Sequence, residues 1–426
     1  MRWVRELMPF WPGGSSPDKR RTDLGDKASS LSLFVVVGVL TMSAPAQSTE
    51  EDGHHAMSGH REAALMRSLM AIQRGDIDQA LDVVEDLVRT DPNFRLAQLV
   101  RGDLLMTKAR GINRFGAGAG ASDAELRALL DEARARVAHQ RHHPTRDVLP
   151  ASLLQLSPDY RRAFVADVSE SRLYLFNNRD GHVSLAGDFY VTSGRGGAFK
   201  QLEGDLKTPI GVYFIDGRIP ASRLPDRYGA GALPLDYPNE WDRQLGRTGY
   251  GIWLHGVSFS TYSRAPRATE GCLALPNEDF RKVWDLAEAK DRRTPVIIVD
   301  GVKWLGRDEM AIQRVATEQA LERWRQDWES RDPGRYARNY SRDFRTRTLD
   351  YHAWLSRKRR VNAAKRFIRV GLTDISVFAY PGEPNLHVVT FDQTYESSKL
   401  TSRTRKKQYW KREADGTWRI IYEGEA

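Results

Sequence analysis

Ile252-Trp253-Leu254-His255-Gly256 and Ala268-Thr269-Glu270-Gly271-Cys272-Leu273, whose cysteine lies 17 residues after that histidine, are the stretches on which the reading of this chain turns. Cys272 is the one cysteine in 426 residues. It has no disulfide partner in the chain, and zinc sites built on cysteine pairs are excluded for the same reason. Thiol attack on an acyl carbon needs a thiolate, a base to make it and donors for the oxyanion. His255, at the end of an apolar strand pattern, is placed as the base, and Gly256 lets the chain turn sharply after it. Gly271 lets backbone approach the thiol closely. The N–H groups around Gly271-Cys272 are the natural oxyanion donors. A single buried thiol or histidine is ordinarily packing material. A thiol and a histidine each flanked by glycine read together as nucleophile and base.

Around these stretches the hydrophobic period is that of strands. Phe164, Ala166 and Val168, then Leu173 and Leu175, alternate across a turn at Asn177-Asn178-Arg179-Asp180-Gly181. Val183, Leu185, Phe189, Val191, Val212, Phe214, Ile252, Leu254 and Val296–Val299 extend the pattern, so a mostly-β domain is expected over 160–302. The whole is read as an α+β multidomain protein, in keeping with about 100–200 residues per domain.

Upstream, residues 1–46 read as an export signal. Arg2, Arg5, Lys19, Arg20, Arg21 and Lys27 precede the apolar run Leu31–Met42, and Ala44-Pro45-Ala46 supplies a small-x-small cleavage pattern. No apolar run reaches the roughly 18–20 residues that a spanning helix needs, so no integral membrane segment is expected after cleavage. The expected location is the periplasm, where a lone thiol is exposed to oxidation. Residues 47–150 read as helical. Leu65, Leu69 and Ile72, then Ile77, Ala80, Leu81, Val84, Leu87 and Val88, recur at helical spacing around a Gly75-Asp76 break, and Pro92 closes the pair. The pair resembles one tetratricopeptide-like unit, which buries its face only against neighbours. Gly116–Gly120 is a flexible loop. It lacks the Lys-Ser/Thr of a phosphate loop. A further amphipathic helix runs over Asp123–His139.

Downstream, residues 303–315 are expected as a helical linker and 316–426 as a separate α+β unit, helices first and strands after. The formal charge of +9 is uneven: residues 331–426 carry 21 Lys and Arg against 11 Asp and Glu, so the surplus belongs to this unit. Its dense patches are Arg357–Arg360 and Arg403–Lys407. Export argues against nucleic acid and for an anionic envelope polymer, whose local concentration such a field raises. The histidine clusters His54, His55, His60 and His139, His142, His143 are read as solvated, because no carboxylate at ligand spacing accompanies them. No metal and no cofactor are expected.

Three motifs carry a family resemblance. Gly204-Asp205-Leu206-Lys207-Thr208-Pro209-Ile210-Gly211-Val212-Tyr213, Ile252–Gly256 and Glu270–Leu273 resemble the L,D-transpeptidase catalytic domain, the YkuD domain, over 163–300. Two departures stand out. Thr269-Glu270 occupy positions where the family has Ser-His or Ser-Arg, and Ala274 stands where it has an arginine. The tail resembles nuclear-transport-factor-2-like (NTF2-like) domains through Trp324, Trp328, Tyr336, Tyr340, Phe344, Phe391, Tyr395 and Gly416–Ile420. The combination is similar to the cell-shape-determining L,D-carboxypeptidases of helical bacteria.

The resemblance implies a mechanism. His255 takes the proton of Cys272, the Gly256 carbonyl orients the imidazole, and Gly271 contributes to the oxyanion backbone. The thiolate attacks the carbonyl on the L-centre of meso-diaminopimelate in a tetrapeptide stem of peptidoglycan, and D-Ala leaves. An amine of another stem or an envelope-protein lysine then gives transpeptidation, and water gives carboxypeptidation. Arg264, Arg267, Glu270 and Trp253 are the candidate substrate contacts, with Arg264 or Arg267 replacing the missing arginine. The tail is expected to supply a pocket for substrate or partner peptide, or a homodimer surface. A reading of another class is a non-catalytic wall-binding scaffold, motivated by Glu270 and Ala274.

Overall fold

In the computed structural model, the described residues are 60–426 apart from 111, 113, 118, 119, 142, 146 and 290–292. The expected export signal lies outside them, as do His54, His55 and His142.

Four helices open the described chain: α1 (His60–Arg74), α2 (Ile77–Thr90), α3 (Arg95–Arg110) and α4 (Asp123–Arg141). Gly75 separates the first two at φ +83°, a conformation that costs glycine little. Asp76 then caps α2 by accepting the Gln79 N–H at 3.0 Å. The periodic residues Leu65, Leu69, Ile72, Ala80, Val84 and Leu87 pack with Phe94, Leu96, Val100, Leu104, Ala133 and Val137 in one core. Tyr262, from far along the chain, completes that core. The helical region is thus closed partly by the catalytic section.

The central section has a five-stranded sheet in the order His182–Tyr190, Arg172–Arg179, Arg162–Asp167, Pro295–Val299, Gly211–Phe214. Side chains alternate between its faces, as a pleated strand requires. Both faces are buried. Phe164, Ala166, Leu173, Leu175, Tyr213, Val296 and Ile298 enter the catalytic core. Ala163, Val165, Tyr174, Phe176, Val212, Phe214, Ile297 and Val299 enter a second core shared with the C-terminal section. A four-stranded sheet, in the order Leu273–Ala274, Trp253–His255, Gly231–Pro234, Ile219–Pro220, packs against the first face and carries the site.

The C-terminal section is a curved six-stranded sheet in the order Tyr340–Arg345, Trp418–Glu425, Thr401–Arg412, Leu386–Ser397, Ile368–Ala379, Leu153–Gln155, with the long helix Arg307–Glu329 alongside. The last of those strands precedes the catalytic section in sequence. Val148–Pro150 likewise pairs antiparallel with Trp304–Gly306. The segments entering and leaving the catalytic section are therefore paired into the same body as the tail. The 303–315 segment holds the strand Trp304–Gly306 and the first turns of the helix Arg307–Glu329, which runs unbroken into the tail.

Part of the basic surplus is internal. Arg403 and Arg405 pair with Asp392 at 3.0 and 2.9 Å, and Arg405 also donates to the Tyr160 hydroxyl. Lys407 is buried between Glu240 at 3.1 Å and Asp236 at 3.7 Å, both in the catalytic section. The Arg403–Lys407 run, read from sequence as a patch for an anionic envelope polymer, is in part a docking seam, through Arg405 and Lys407. Arg403, on the same strand, stays exposed and pairs within the tail.

Candidate active site

Strand Trp253–His255 lies between Gly231–Pro234, antiparallel, and Leu273–Ala274, parallel, with Leu254 opposite Leu273 and His255 opposite Ala274. Leu254 and Leu273 are fully buried in the catalytic core. Period two therefore puts Trp253, His255 and Cys272 on the other face, the last two diagonally across adjacent strands.

His255 is buried, and its Nδ1 lies 2.5 Å from the Gly256 carbonyl oxygen. A carbonyl only accepts, so Nδ1 carries the proton and Nε2 holds the lone pair. Burial pushes the imidazole down to about 4, with the Arg264 and Arg227 charges adding to it and the Gly256 carbonyl opposing. The ring is thus a neutral base at neutral pH. Tyr228 stands edge-on to it at 5.0 Å between centroids. The turn after His255 admits only glycine, since a Cβ on Gly256 would lie 2.2 Å from Asn277 Oδ1. Asn277 ties this turn down, accepting the Ala230 N–H at 2.8 Å and donating to the Val257 carbonyl at 2.7 Å.

Cys272 is half-buried, and its thiol donates to the Gly251 carbonyl at 3.2 Å. Burial pushes the thiol up to about 11; the Trp253 N–H, Lys200 and Arg227 act against this, and the Glu270 charge adds to it. The resting pair is thiol and imidazole, not thiolate and imidazolium.

Gly271 plays a different part from the one its sequence position suggests. Its N–H donates to Thr269 Oγ1 at 3.2 Å, so it is not available to an oxyanion. The same hydroxyl donates to the Cys272 carbonyl at 2.7 Å. What position 271 needs is conformation: φ is +127°, and a Cβ would lie 2.7 Å from the Lys207 carbonyl oxygen. The close approach comes from the Thr208-Pro209 motif. Thr208 Oγ1 donates to the Gly271 carbonyl at 3.0 Å and accepts the Gly194 N–H at 2.9 Å.

The candidate substrate contacts separate. Trp253 and Arg264 lie beside the pair: Trp253 is half-buried, with its ring 5.1 Å from that of Tyr228. Arg264 is half-buried, its guanidinium donates to the Ala268 carbonyl, and its charge reaches His255. Arg267 is exposed on its strand. Glu270 is exposed and pairs with Arg195 at 3.3 Å. Sequence reasoning missed Arg227, Tyr228 and Asn277. The first two lie 28 and 27 residues before His255 on a 3-10 turn, where no spacing rule connects them to the pair. Asn277 lies 22 residues beyond His255, where no spacing rule points to it either.

The histidines also divide. His60 is exposed at the start of α1. His139 is not solvated: it is buried, and with His143 it converges on Asp188. That carboxylate is on a strand 45 residues beyond His143, too far along the chain for local spacing to reveal.

A half-buried thiol and a buried imidazole on paired strand ends, held by a Thr-Pro clamp and followed by a curved-sheet tail, are the arrangement of an L,D-transpeptidase catalytic domain joined to an NTF2-like domain. Residues 161–298 match the YkuD L,D-transpeptidase catalytic domain and 316–424 the Cds6 C-terminal NTF2-like domain. Among solved structures the chain is similar to Bd1075 of Bdellovibrio bacteriovorus, at 28% identity and a TM-score of 0.58 over 66% of this chain and 99% of that one. It also shares its fold with the helical cell shape determining protein Pgp2 of Campylobacter jejuni, at 24% identity and a TM-score of 0.53 over 65% of this chain and 95% of that one. No curated protein matches the chain.

Proposed function

We propose that the protein is a periplasmic peptidoglycan L,D-transpeptidase with Cys272 as nucleophile and His255 as general base. The observation that carries the reading is the His255 Nδ1–Gly256 carbonyl bond, which makes Nε2 the basic nitrogen of a histidine whose strand is paired with the one that Cys272 leads into. The thiol turns from the Gly251 carbonyl to Nε2. Its proton passes to His255 as sulfur attacks the carbonyl at the L-centre of meso-diaminopimelate. The oxyanion is stabilised by the Cys272 N–H, since that of Gly271 is engaged. His255 returns the proton to the D-Ala amine as the carbon–nitrogen bond breaks, leaving a thioester. An amine of a second stem or of a protein lysine then attacks, regenerating the thiol. Because thiol and imidazole rest neutral, proton transfer accompanies attack instead of preceding it.

Arg264 is the better placed of the two arginines to hold a stem carboxylate, because it is partly desolvated and near His255, whereas Arg267 is exposed. A guanidinium in such a setting binds a carboxylate more strongly than one in water.

The test is incubation of the purified protein with tetrapeptide muropeptides. D-Ala release with cross-linked dimers is expected from wild type and neither from Cys272→Ala. Tripeptides without dimers identify water as the acceptor and make the enzyme a carboxypeptidase. Identical behaviour of the two proteins removes the catalytic assignment and leaves a wall-binding scaffold.

A further inference from the structure

Away from the thiol, the end of α4 meets the catalytic sheet through a histidine pair. His139, in the last turn of α4, and His143, four residues on, both direct Nε2 at Asp188 of strand His182–Tyr190. The distances are 2.9 Å to Oδ1 and 3.2 Å to Oδ2, and the rings lie 5.2 Å apart. His143 Nδ1 lies 3.0 Å from the Pro144 carbonyl oxygen. That carbonyl only accepts, so Nδ1 holds the proton and, in the neutral ring, Nε2 presents a lone pair to a carboxylate oxygen. Two lone pairs at 3.2 Å repel. A positive charge belongs between them, either a second proton on the ring or a metal ion.

Two further observations favour the ion, and a third is compatible with it. The three ligand atoms lie within 4.8 Å of one another, so small side-chain shifts bring all of them within reach of one cation. The supporting partners of a metal site are present: Pro144 holds the far nitrogen of His143, and Arg172 Nη1 holds Asp188 at 3.1 Å. The charge count also leaves room. The buried cluster at this seam holds Glu62, Glu132 and Asp188 against Arg136 and Arg172, linked by Arg172–Glu62 at 2.9 Å, Arg136–Glu132 at 2.8 Å and a direct Arg136–Glu62 pair. With its carboxylates ionised, one negative charge is left at the histidine end, which either a proton or a cation can meet.

We propose that His139, His143 and Asp188 bind a late first-row divalent cation that staples the helical region to the catalytic sheet. Two imidazoles and one carboxylate suit zinc and its neighbours and not calcium or magnesium. His143 is exposed, so water completes the coordination from that side. The staple ties into the site's surroundings. Tyr190, two residues past Asp188, donates its hydroxyl to the Arg264 carbonyl at 2.8 Å, and Ser263 donates to Glu132 at 2.6 Å.

The test uses the full chain carrying Cys272→Ala, which removes the one thiol as a competing ligand. Chelator-stripped protein is titrated with zinc chloride by calorimetry and melted with and without zinc. One equivalent of bound zinc and a raised melting temperature are expected. His143→Gln, at an exposed position, should keep the metal-free melting temperature and lose at least about tenfold in affinity, the lower end of what even an outer partner contributes. His139→Gln should lose at least as much. Absence of binding at millimolar zinc overturns the proposal. So does binding that both variants leave unchanged, which would place the ion on other histidines. Stabilisation that disappears above neutral pH and ignores zinc also overturns it, assigning the charge to a proton.

Discussion

Each residue of the proposed reacting pair rests in the wrong protonation state for an ion pair, and on that proposal this sets its reactivity. With the Cys272 thiol pushed up to about 11, the thiolate fraction grows as pH rises and does not saturate near neutrality. Iodoacetamide alkylation should therefore accelerate about tenfold per pH unit from about pH 7 to 9. A plateau beginning below pH 7 would instead reveal a preformed thiolate–imidazolium pair. His255 is depressed to about 4, so it stays neutral and basic as pH falls through the ordinary histidine range. The acid limb of kcat/KM should lie near pH 4 and not near 6.5, measured on muropeptide turnover. Arg264→Ala should raise KM by about tenfold to a hundredfold with a smaller effect on kcat, the size of one charged hydrogen bond. Arg267→Ala should change little. Equal effects of the two would remove Arg264 as the anchor.

At the level of elements, the strand ends are held by small residues and side-chain hydroxyls. Thr208 bonds both Gly271 and Gly194, so Thr208→Val leaves a buried carbonyl and a buried N–H without that partner. A loss of about 2 kcal/mol in denaturant unfolding is expected, with a fall in kcat larger than the change in KM. A neutral result would mean that the motif's threonine does not hold the nucleophile loop. Gly256→Ala drives a Cβ into Asn277 Oδ1, and an overpacking cost of about 1–3 kcal/mol is expected. Adding Asn277→Ala should not restore that stability in the same unfolding experiment, because the Cβ also lies 2.7 Å from the Ala230 backbone nitrogen and the turn loses both Asn277 hydrogen bonds. The elements also show where sequence reasoning reached. Alternation in 163–168 and 173–176 marked the strands correctly, and Gly75-Asp76 and Pro92 marked the helix breaks. The same alternation was silent on what covers each face. Phe164 and Val165 are both apolar, and only the packed structure assigns one to the catalytic core and the other to the core shared with the tail.

The whole molecule behaves as one body because its sections share cores. Tyr262 closes the helical core, and the far face of the catalytic sheet packs with Trp324, Trp328 and Trp410 of the tail. Expression of 160–302 alone should give an aggregating or unfolded product, since Val165, Phe176, Phe214 and Ile297 would become a solvent-exposed apolar face. A soluble, active fragment of that length would show that the tail is dispensable for folding. Lys407→Met should cost about 3 kcal/mol in chemical denaturation. It leaves Glu240 and Asp236 without their buried cation, and Arg293 stands 4.0 Å from Asp236.

What the sequence determined by itself is the chemistry. A lone thiol and a histidine beside glycines, together with the Thr-Pro motif, carry the proposed cysteine acyl-transfer chemistry, because those residue types bring their reactivity wherever they are placed. The aromatic pattern of the tail specifies its fold for a similar reason, since large apolar side chains at strand and helix periods have few ways to be buried. What only the tertiary structure decided is what each polar group faces. Gly271 loses its N–H to Thr269, Lys407 becomes a seam instead of a basic surface, and His139 meets Asp188 from a distant strand. Hydrogen bonds and ion pairs act over a few ångströms, and the chain brings residues that close together across separations of tens to hundreds of positions that no local pattern records.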